Sequence, residues 1–136
     1  MATPAEGLAR LHTAAESGEL DTLCNRHRIR ILTVFGSAGR GESNARDLDV
    51  AVMTEPGATF DSVQAINDLI DLTHSDDIDL AHLNRAGPVL RERALVGSVA
   101  LFESTPGALA AAATAAIALR IETDPMRRLD LELLAG

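Results

Sequence analysis

Apolar and polar residues follow two different periods along this chain. Short apolar runs with a period of two are typical of β-strands, and longer segments with apolar residues every three or four positions are typical of amphipathic helices. The pattern predicts four strands, over residues 29–35, 47–53, 77–83 and 98–102. It predicts six helices, over residues 4–17, 20–27, 59–73, 88–96, 105–121 and 124–134. This order favours a small α/β (α+β) domain in which helices flank a mixed four-stranded sheet.

Residues with strong end preferences mark several of the predicted helices. Gly18 breaks the first helix, Thr59 is the expected N-cap of the third, and Gly97 follows the fourth in a C-terminal capping position. Cys24 lies on the apolar side of the second helix, so we expect it in the core. The third helix is expected to turn one apolar face toward the core, formed by Phe60, Val63, Ile66, Leu69 and Ile70.

Length and composition limit the classes of protein. The 136 residues are expected to form one domain, with the sheet within residues 28–103 and C-terminal helices over residues 104–136. No apolar run reaches the roughly 18 residues that cross a bilayer. The first residues lack the basic and apolar regions of a signal peptide. A single cysteine cannot form an internal disulfide, which favours a reducing cytoplasm.

The charge and the aromatic content argue against direct nucleic-acid binding. The chain has 20 acidic and 12 basic side chains, a formal net charge of −8. Non-specific nucleic-acid binding relies on clustered Lys and Arg, which this composition does not favour. The aromatic residues are three Phe, with no Tyr or Trp, so a set of stacking rings for single strands is also absent from the sequence.

The residues with the most specific chemistry lie between the first two predicted strands. The first strand ends in Gly36-Ser37, and the second begins with Asp47 and Asp49, which share a face because strand side chains alternate. Two close carboxylates raise each other's pKa unless a cation lies between them, and hard oxygen ligands suit Mg²⁺ bound with a nucleotide. A Gly-Ser turn can offer backbone N–H groups and a hydroxyl to phosphates.

Other charged residues extend this candidate site. Arg40 lies between glycines just after the turn, and its guanidinium is suited to phosphate oxygens. Asp79 interrupts an apolar strand, where a carboxylate is costly to bury without a partner, so we interpret it as the third acidic residue. Asp77 shares a face with Asp79 and is the rival for that role, whereas Asp76 belongs to a solvated strand entrance.

Three further sets of polar residues have a less specific signal in the sequence. Arg91 and Arg93 belong to a solvated helix face, and nothing in the pattern selects which of them reaches a ligand or partner. His27 and His82 do not have the spacing of a metal-binding set, so we interpret them as ordinary surface or half-buried histidines. Glu42 is expected to hold the loop after Gly36-Ser37 by hydrogen bonds.

Together the motifs resemble the signature of the DNA polymerase beta-like nucleotidyltransferase superfamily, in particular its minimal nucleotidyltransferases. That pattern is Gly-Ser, about ten residues, then Asp-x-Asp, usually with Arg-Gly-Glu in the gap. Here nine residues separate Ser37 from Asp47, Arg40-Gly41-Glu42 lies inside the gap, and Arg46 stands where the family often has Ser. The resemblance implies the polymerase beta-like fold, with residues 28–103 as its catalytic core.

The resemblance also implies a mechanism and a partner. ATP is the expected substrate, and two Mg²⁺ ions are expected on Asp47, Asp49 and Asp79, with Gly36, Ser37 and Arg40 at the phosphates. The leading interpretation is an antitoxin that transfers AMP to a tyrosine hydroxyl of a partner HEPN-domain ribonuclease toxin. One alternative is transfer to a small molecule, as in aminoglycoside nucleotidyltransferases. Another is an antitoxin that neutralises its toxin by binding alone.

Overall fold

The computed structural model describes the backbone of residues 2–135 and the side chains of residues 2–126. Four strands form one mixed sheet in the order β3-β2-β1-β4. β1 pairs antiparallel with β2 and β4, whereas β2 and β3 run parallel. The strands are β1 Ile29–Phe35, β2 Leu48–Thr54, β3 Ile78–His82 and β4 Val99–Glu103. The predicted fold class is confirmed.

Helices connect the strands and cover both faces of the sheet. Gly18 ends the first helix in a left-handed conformation with φ 90°, as its position predicts. A 3₁₀ turn, Leu83–Arg85, follows β3. The helices are α1 Pro4–Ser17, α2 Glu19–Arg26, α3 Gly36–Gly39, α4 Ser62–Thr73, α5 Pro88–Leu95 and α6 Ala108–Ala135.

One face of the sheet is covered by α1, α2 and α4. Leu11, Leu20 and Leu69 from these helices are fully buried and belong to one cluster with the strand residues Leu32 and Val50. Cys24 is also fully buried here, which confirms its predicted place in the core. Burial raises the pKa of its thiol far above the ordinary range, so this cysteine is expected to be unreactive.

The opposite face is covered by α5 and the first part of α6. Ile31 and Ala51 of the sheet pack there against Ala94 and Ala116. Asp49 is two residues before Ala51 on β2, so its side chain projects from this same face. The fold therefore brings α5 over the face that carries the predicted acidic residues.

The structure corrects the start of the third predicted helix. α4 begins at Ser62 rather than near Thr59, and Asp61 is its N-cap, with a side-chain oxygen accepting a hydrogen bond from the Gln64 N–H at 3.1 Å. Val63 is 67% exposed, so its predicted place in the core was wrong. The buried stripe of the helix runs through Ala65, Leu69 and Thr73, and a residue two positions before that stripe points to the opposite side.

The structure also joins the two predicted C-terminal helices into one. α6 continues through Pro125, where the sequence predicts a new helix. Pro125 lacks the N–H that would bond one turn back in the helix. In the turn before it, Arg120 Nη1 contacts Asp124 Oδ2 at 2.8 Å. At the start of α6, the Glu103 carboxylate accepts hydrogen bonds from the backbone N–H groups of Gly107 and Leu109. Among the described residues, no helix is both long and apolar enough to cross a membrane.

Candidate active site

The Gly-Ser motif forms a one-turn helix directly after β1. The sequence indicates a turn here, and the structure closes it with hydrogen bonds from Arg40 N–H to the Gly36 carbonyl and from Glu42 N–H to the Ser37 carbonyl, both 3.1 Å. Glycine is required at position 39 because the backbone of β1 lies close by: a Cβ here would be 2.7 Å from the carbonyl oxygen of Val34. The tight helix folds the motif back against the end of β1.

Gly36 lies against the carboxylate of Asp49. Its backbone has φ +68°, in the left-handed region that favours glycine. A Cβ at this position would overlap Asp49 Oδ2 and lie 3.2 Å from Asp49 Cγ. The neighbouring Phe35 pairs directly with Asp49 across the antiparallel strands. The glycine of the motif therefore leaves room for the second aspartate of the motif.

Asp49 and Asp79 are direct neighbours on the parallel strands β2 and β3. Residues in register on adjacent strands present their side chains on the same face, about 4.8 Å apart along the sheet. Asp49 is half-buried and Asp79 is exposed. Asp77 lies before the first residue of β3, and its carbonyl oxygen accepts a 2.7 Å hydrogen bond from the Leu48 N–H.

The pKa of Asp49 is raised by burial, and then by the negative charges of Asp79 and Asp47. The positive charge of Arg93 acts in the opposite direction. Asp47 and Asp79 are therefore both within electrostatic reach of Asp49. Their repulsion destabilises the charged form of Asp49, and a cation bound between them would relieve it.

These carboxylates have the donor chemistry of a magnesium site. Hard oxygen ligands and an open side suit Mg²⁺, which usually keeps several waters and is shared with substrate phosphates. In the part of the chain whose side chains are described, no three His, Cys, Asp or Glu side chains already converge as metal ligands. The carboxylates fit the ion in chemistry, and phosphate and water would supply the remaining ligands.

A cleft of about 250 Å³ beside Gly36 is lined by Arg40 and Arg93. The Arg40 guanidinium contacts the Glu42 carboxylate at 2.9 Å, and both side chains face solvent. The predicted role of Glu42 in holding the loop agrees with this pair. Ser37 is on α3, next to the cleft, and within the described residues its hydroxyl makes no hydrogen bond.

Arg93 is the functional candidate that the sequence could not select. Helical periodicity places Arg91 and Arg93 on one short helix without telling how α5 lies on the sheet. In the structure Arg91 donates hydrogen bonds to the carbonyls of Leu83 at 2.9 Å and Asn84 at 3.0 Å. Arg93 instead lines the cleft and acts electrostatically on Asp49.

The histidines belong to other parts of the molecule. His27 Nε2 lies 2.6 Å from Asp68 Oδ2 on the face covered by α2 and α4. His82 Nε2 lies 3.1 Å from the Thr54 hydroxyl at the end of the sheet. Among the described residues, no group of three potential metal ligands includes either histidine.

Comparison with protein families places this geometry in context. The model of the polymerase beta nucleotidyltransferase family matches residues 19–106, which is more than half of the chain. The chain belongs to this family. The matched residues include the Gly-Ser motif and all three predicted acidic residues of the nucleotidyltransferase domain. Comparison with curated proteins finds no match.

Solved structures share the nucleotidyltransferase fold with this chain. A toxin–antitoxin complex with AMP-PNP matches with a TM-score of 0.70 and 20% identity, over 88% of this chain and 98% of that chain. The tri-AMPylated HEPN toxin of Shewanella oneidensis in complex with an MNT antitoxin matches with a TM-score of 0.67 and 18% identity, over 92% and 99%. The toxin–antitoxin pair MntA-HepT matches with a TM-score of 0.65 and 18% identity, over 88% and 96%.

Proposed function

We propose that this nucleotidyltransferase is an antitoxin that transfers AMP from ATP to a tyrosine hydroxyl of a cognate HEPN ribonuclease toxin. The observation that carries the proposal is the contact of Gly36 with Asp49, combined with the direct pairing of Asp49 and Asp79. In this arrangement the Gly-Ser motif, which we expect to bind phosphate, lies beside Asp49 and Asp79, as transfer from a nucleoside triphosphate requires. Structural neighbours from toxin–antitoxin complexes, one with AMP-PNP and one with an AMPylated toxin, support the donor and the acceptor.

Each residue of the site has a proposed role. Asp47 and Asp49 would hold Mg²⁺ together with Asp79, and the bound ions would offset charge on the attacking and leaving oxygens. Asp79 is exposed at the strand edge, where an acceptor hydroxyl can reach it and give up its proton. The Ser37 hydroxyl, the Gly36 backbone and Arg40 would contact the phosphates. Because these groups position and neutralise rather than react, loss of one aspartate should remove most of the rate.

A separate protein is the acceptor that agrees best with the chain. The chain contains no Tyr, so it cannot be its own tyrosine acceptor. Its formal net charge of −8 suits a basic partner such as an RNA-cutting enzyme. We place the catalytic core within residues 28–103 and the reaction in the cytoplasm, where ATP and RNA are available.

Incubation with α-labelled ATP, Mg²⁺ and a co-expressed HEPN partner tests the proposal. Label should move to the partner in steps of one AMP, and mass spectrometry should locate it on a tyrosine. The Asp49→Asn variant is the matched control, because it keeps side-chain shape while removing the charge.

The same experiment separates the alternatives. If the partner stays unlabelled yet loses its ribonuclease activity with the wild type and with Asp49→Asn alike, the chain is a binding-only antitoxin. If label moves only to an added aminoglycoside, the acceptor is a small molecule. Either result would contradict protein AMP transfer.

A further inference from the structure

Three consecutive charged residues of α5 have three different environments. Arg91 is held by the carbonyls of Leu83 and Asn84, next to the 3₁₀ turn. Glu92 forms an ion pair with Arg120 of α6. Arg93 is exposed, and within the described side chains it has no hydrogen bond or ion pair. The first two residues fix the helix to its neighbours, whereas Arg93 is left available for a ligand.

The position of Arg93 is set by its neighbour in the chain. Ala94 is fully buried, and its carbonyl accepts a 2.7 Å hydrogen bond from the buried Thr33 hydroxyl of β1. This carbonyl is in the last turn of α5, where backbone acceptors lack a partner within the helix. Leu95 is also buried, so the end of α5 is anchored on the sheet. The anchor holds Arg93 at the rim of the cleft.

Two arginines from different elements line one cleft, together with Gly36, which lies against the Asp49 carboxylate. Arg40 directly follows α3 and Arg93 belongs to α5, and Gly36 and Gly97 line the same cleft. Arg93 shares this cleft with Gly36, whose backbone abuts the Asp49 carboxylate, so the cleft that Arg93 lines borders the predicted reacting centre. A cleft lined by two arginines suits a chain of phosphates. The other end of that chain would be bound to the neighbouring carboxylates through Mg²⁺.

We propose that Arg93 is a binding residue for the phosphate chain of the nucleoside triphosphate. The inference rests on the proposed function and adds a group from α5 to the phosphate-binding motif of α3. In the transfer, a bond forms between the acceptor oxygen and the α-phosphorus, and the bond from the α-phosphorus to the bridging oxygen breaks. The electron pair leaves with pyrophosphate while the hydroxyl proton passes to Asp79. Arg93 offsets the charge that accumulates on the leaving phosphates.

Nucleotide affinities of single variants test this role. We would measure the affinity for Mg·ATP by calorimetry and the affinity for adenosine by competition with Mg·ATP. The proteins compared are the wild type, Arg93→Gln, Arg93→Lys and Arg10→Gln. Arg10 is exposed on α1, away from the cleft, so its variant controls for the same loss of charge. The affinity of Arg93→Gln for ATP should fall about 10- to 100-fold, as expected for one charged hydrogen-bonding group. Its affinity for adenosine should not change, and Arg93→Lys should recover part of the ATP affinity.

The outcomes separate this inference from the proposed function. If the wild type binds Mg·ATP and Arg93→Gln binds it equally well, the role of Arg93 is overturned and the proposed function remains. An equal loss of ATP and adenosine affinity would also overturn it, because that pattern indicates a general structural effect. If the wild type fails to bind Mg·ATP, the proposed function and this inference are both overturned.

Discussion

The carboxylate of Asp49 occupies the space that a side chain at position 36 would fill. The two residues are far apart in the chain, but Asp49 pairs with Phe35, so the antiparallel register brings it beside the next residue, Gly36. The Gly-Ser motif and the acidic motif are therefore one physical unit. A change at the glycine should act on the aspartate directly.

Gly36→Ala should destabilise the fold and remove transfer activity. An alanine in the left-handed region costs about 1 kcal/mol, and the overlap with Asp49 adds to that cost. Gly41→Ala is the matched control, since Gly41 has φ +80° but no atom within 4 Å of an added Cβ. Urea unfolding should show a larger loss for Gly36→Ala than for Gly41→Ala. Equal losses would show that the contact with Asp49 is unimportant.

Replacing Asp47 and Asp49 together by Asn should abolish transfer and leave the fold intact or slightly more stable. Burial and the charges of Asp79 and Asp47 already raise the pKa of Asp49, so the metal-free protein gains nothing from its charge. Asp71→Asn, on the exposed side of α4, controls for removal of a carboxylate. A thermal melt and a transfer assay check both parts. Retained activity would place the site elsewhere.

Strand periodicity predicted the two strands that carry Asp49 and Asp79, because it needs only the alternation of apolar and polar residues. Asp47 directly precedes β2, although the sequence predicted it as the first residue of that strand. Asp49 lies in β2, and Asp79 lies in β3. The sequence therefore indicated which carboxylates could meet. It could not show the close contact of Gly36 with Asp49, because that contact depends on the path of the chain through α3.

Helix ends and helix orientation were harder to predict, for a physical reason in each case. The N-cap of α4 is Asp61 and not the predicted Thr59, and both residue types are favoured at N-caps. A proline such as Pro125 usually signals a helix end, but α6 continues past it, and Arg120 donates a hydrogen bond to Asp124 in the preceding turn. Arg93 could not be distinguished from Arg91 because the direction of each depends on how α5 packs, which is a tertiary effect.

ATP binding should depend on a divalent cation. Three carboxylates repel one another and also repel a triphosphate, so the affinity for ATP should fall sharply when Mg²⁺ is removed. Calorimetric titration of ATP in Mg²⁺ and then in EDTA measures this effect. Equal affinity in both conditions would remove the metal-site interpretation of Asp47, Asp49 and Asp79.

Asp68 should contribute stability that is lost in acid. The hydrogen bond from His27 lowers the pKa of this carboxyl; partial burial opposes that effect, and Arg26 adds to the lowering. Because the folded pKa lies below the unfolded value of about 3.9, the contribution is complete above that value. It is lost as the pH falls through the folded pKa.

Comparison of Asp68→Asn with the wild type tests this dependence. By urea unfolding the variant should be less stable by about 1 kcal/mol at pH 7, and the difference should narrow below pH ~4. Asp71→Asn, on the same helix but exposed, should differ little from the wild type at either pH. A difference for Asp68→Asn that stays constant with pH would contradict the assignment.

The most direct test of the account compares Asp79→Asn with Asp77→Asn in the transfer of labelled AMP to the HEPN partner. Asp79 pairs with Asp49 in the sheet, whereas Asp77 contributes a backbone carbonyl that an Asn variant retains. Asp79→Asn should lose about 100-fold or more of the transfer rate, and Asp77→Asn should stay close to the wild type. Full activity in Asp79→Asn, or an equal loss in both variants, would contradict the proposed catalytic site.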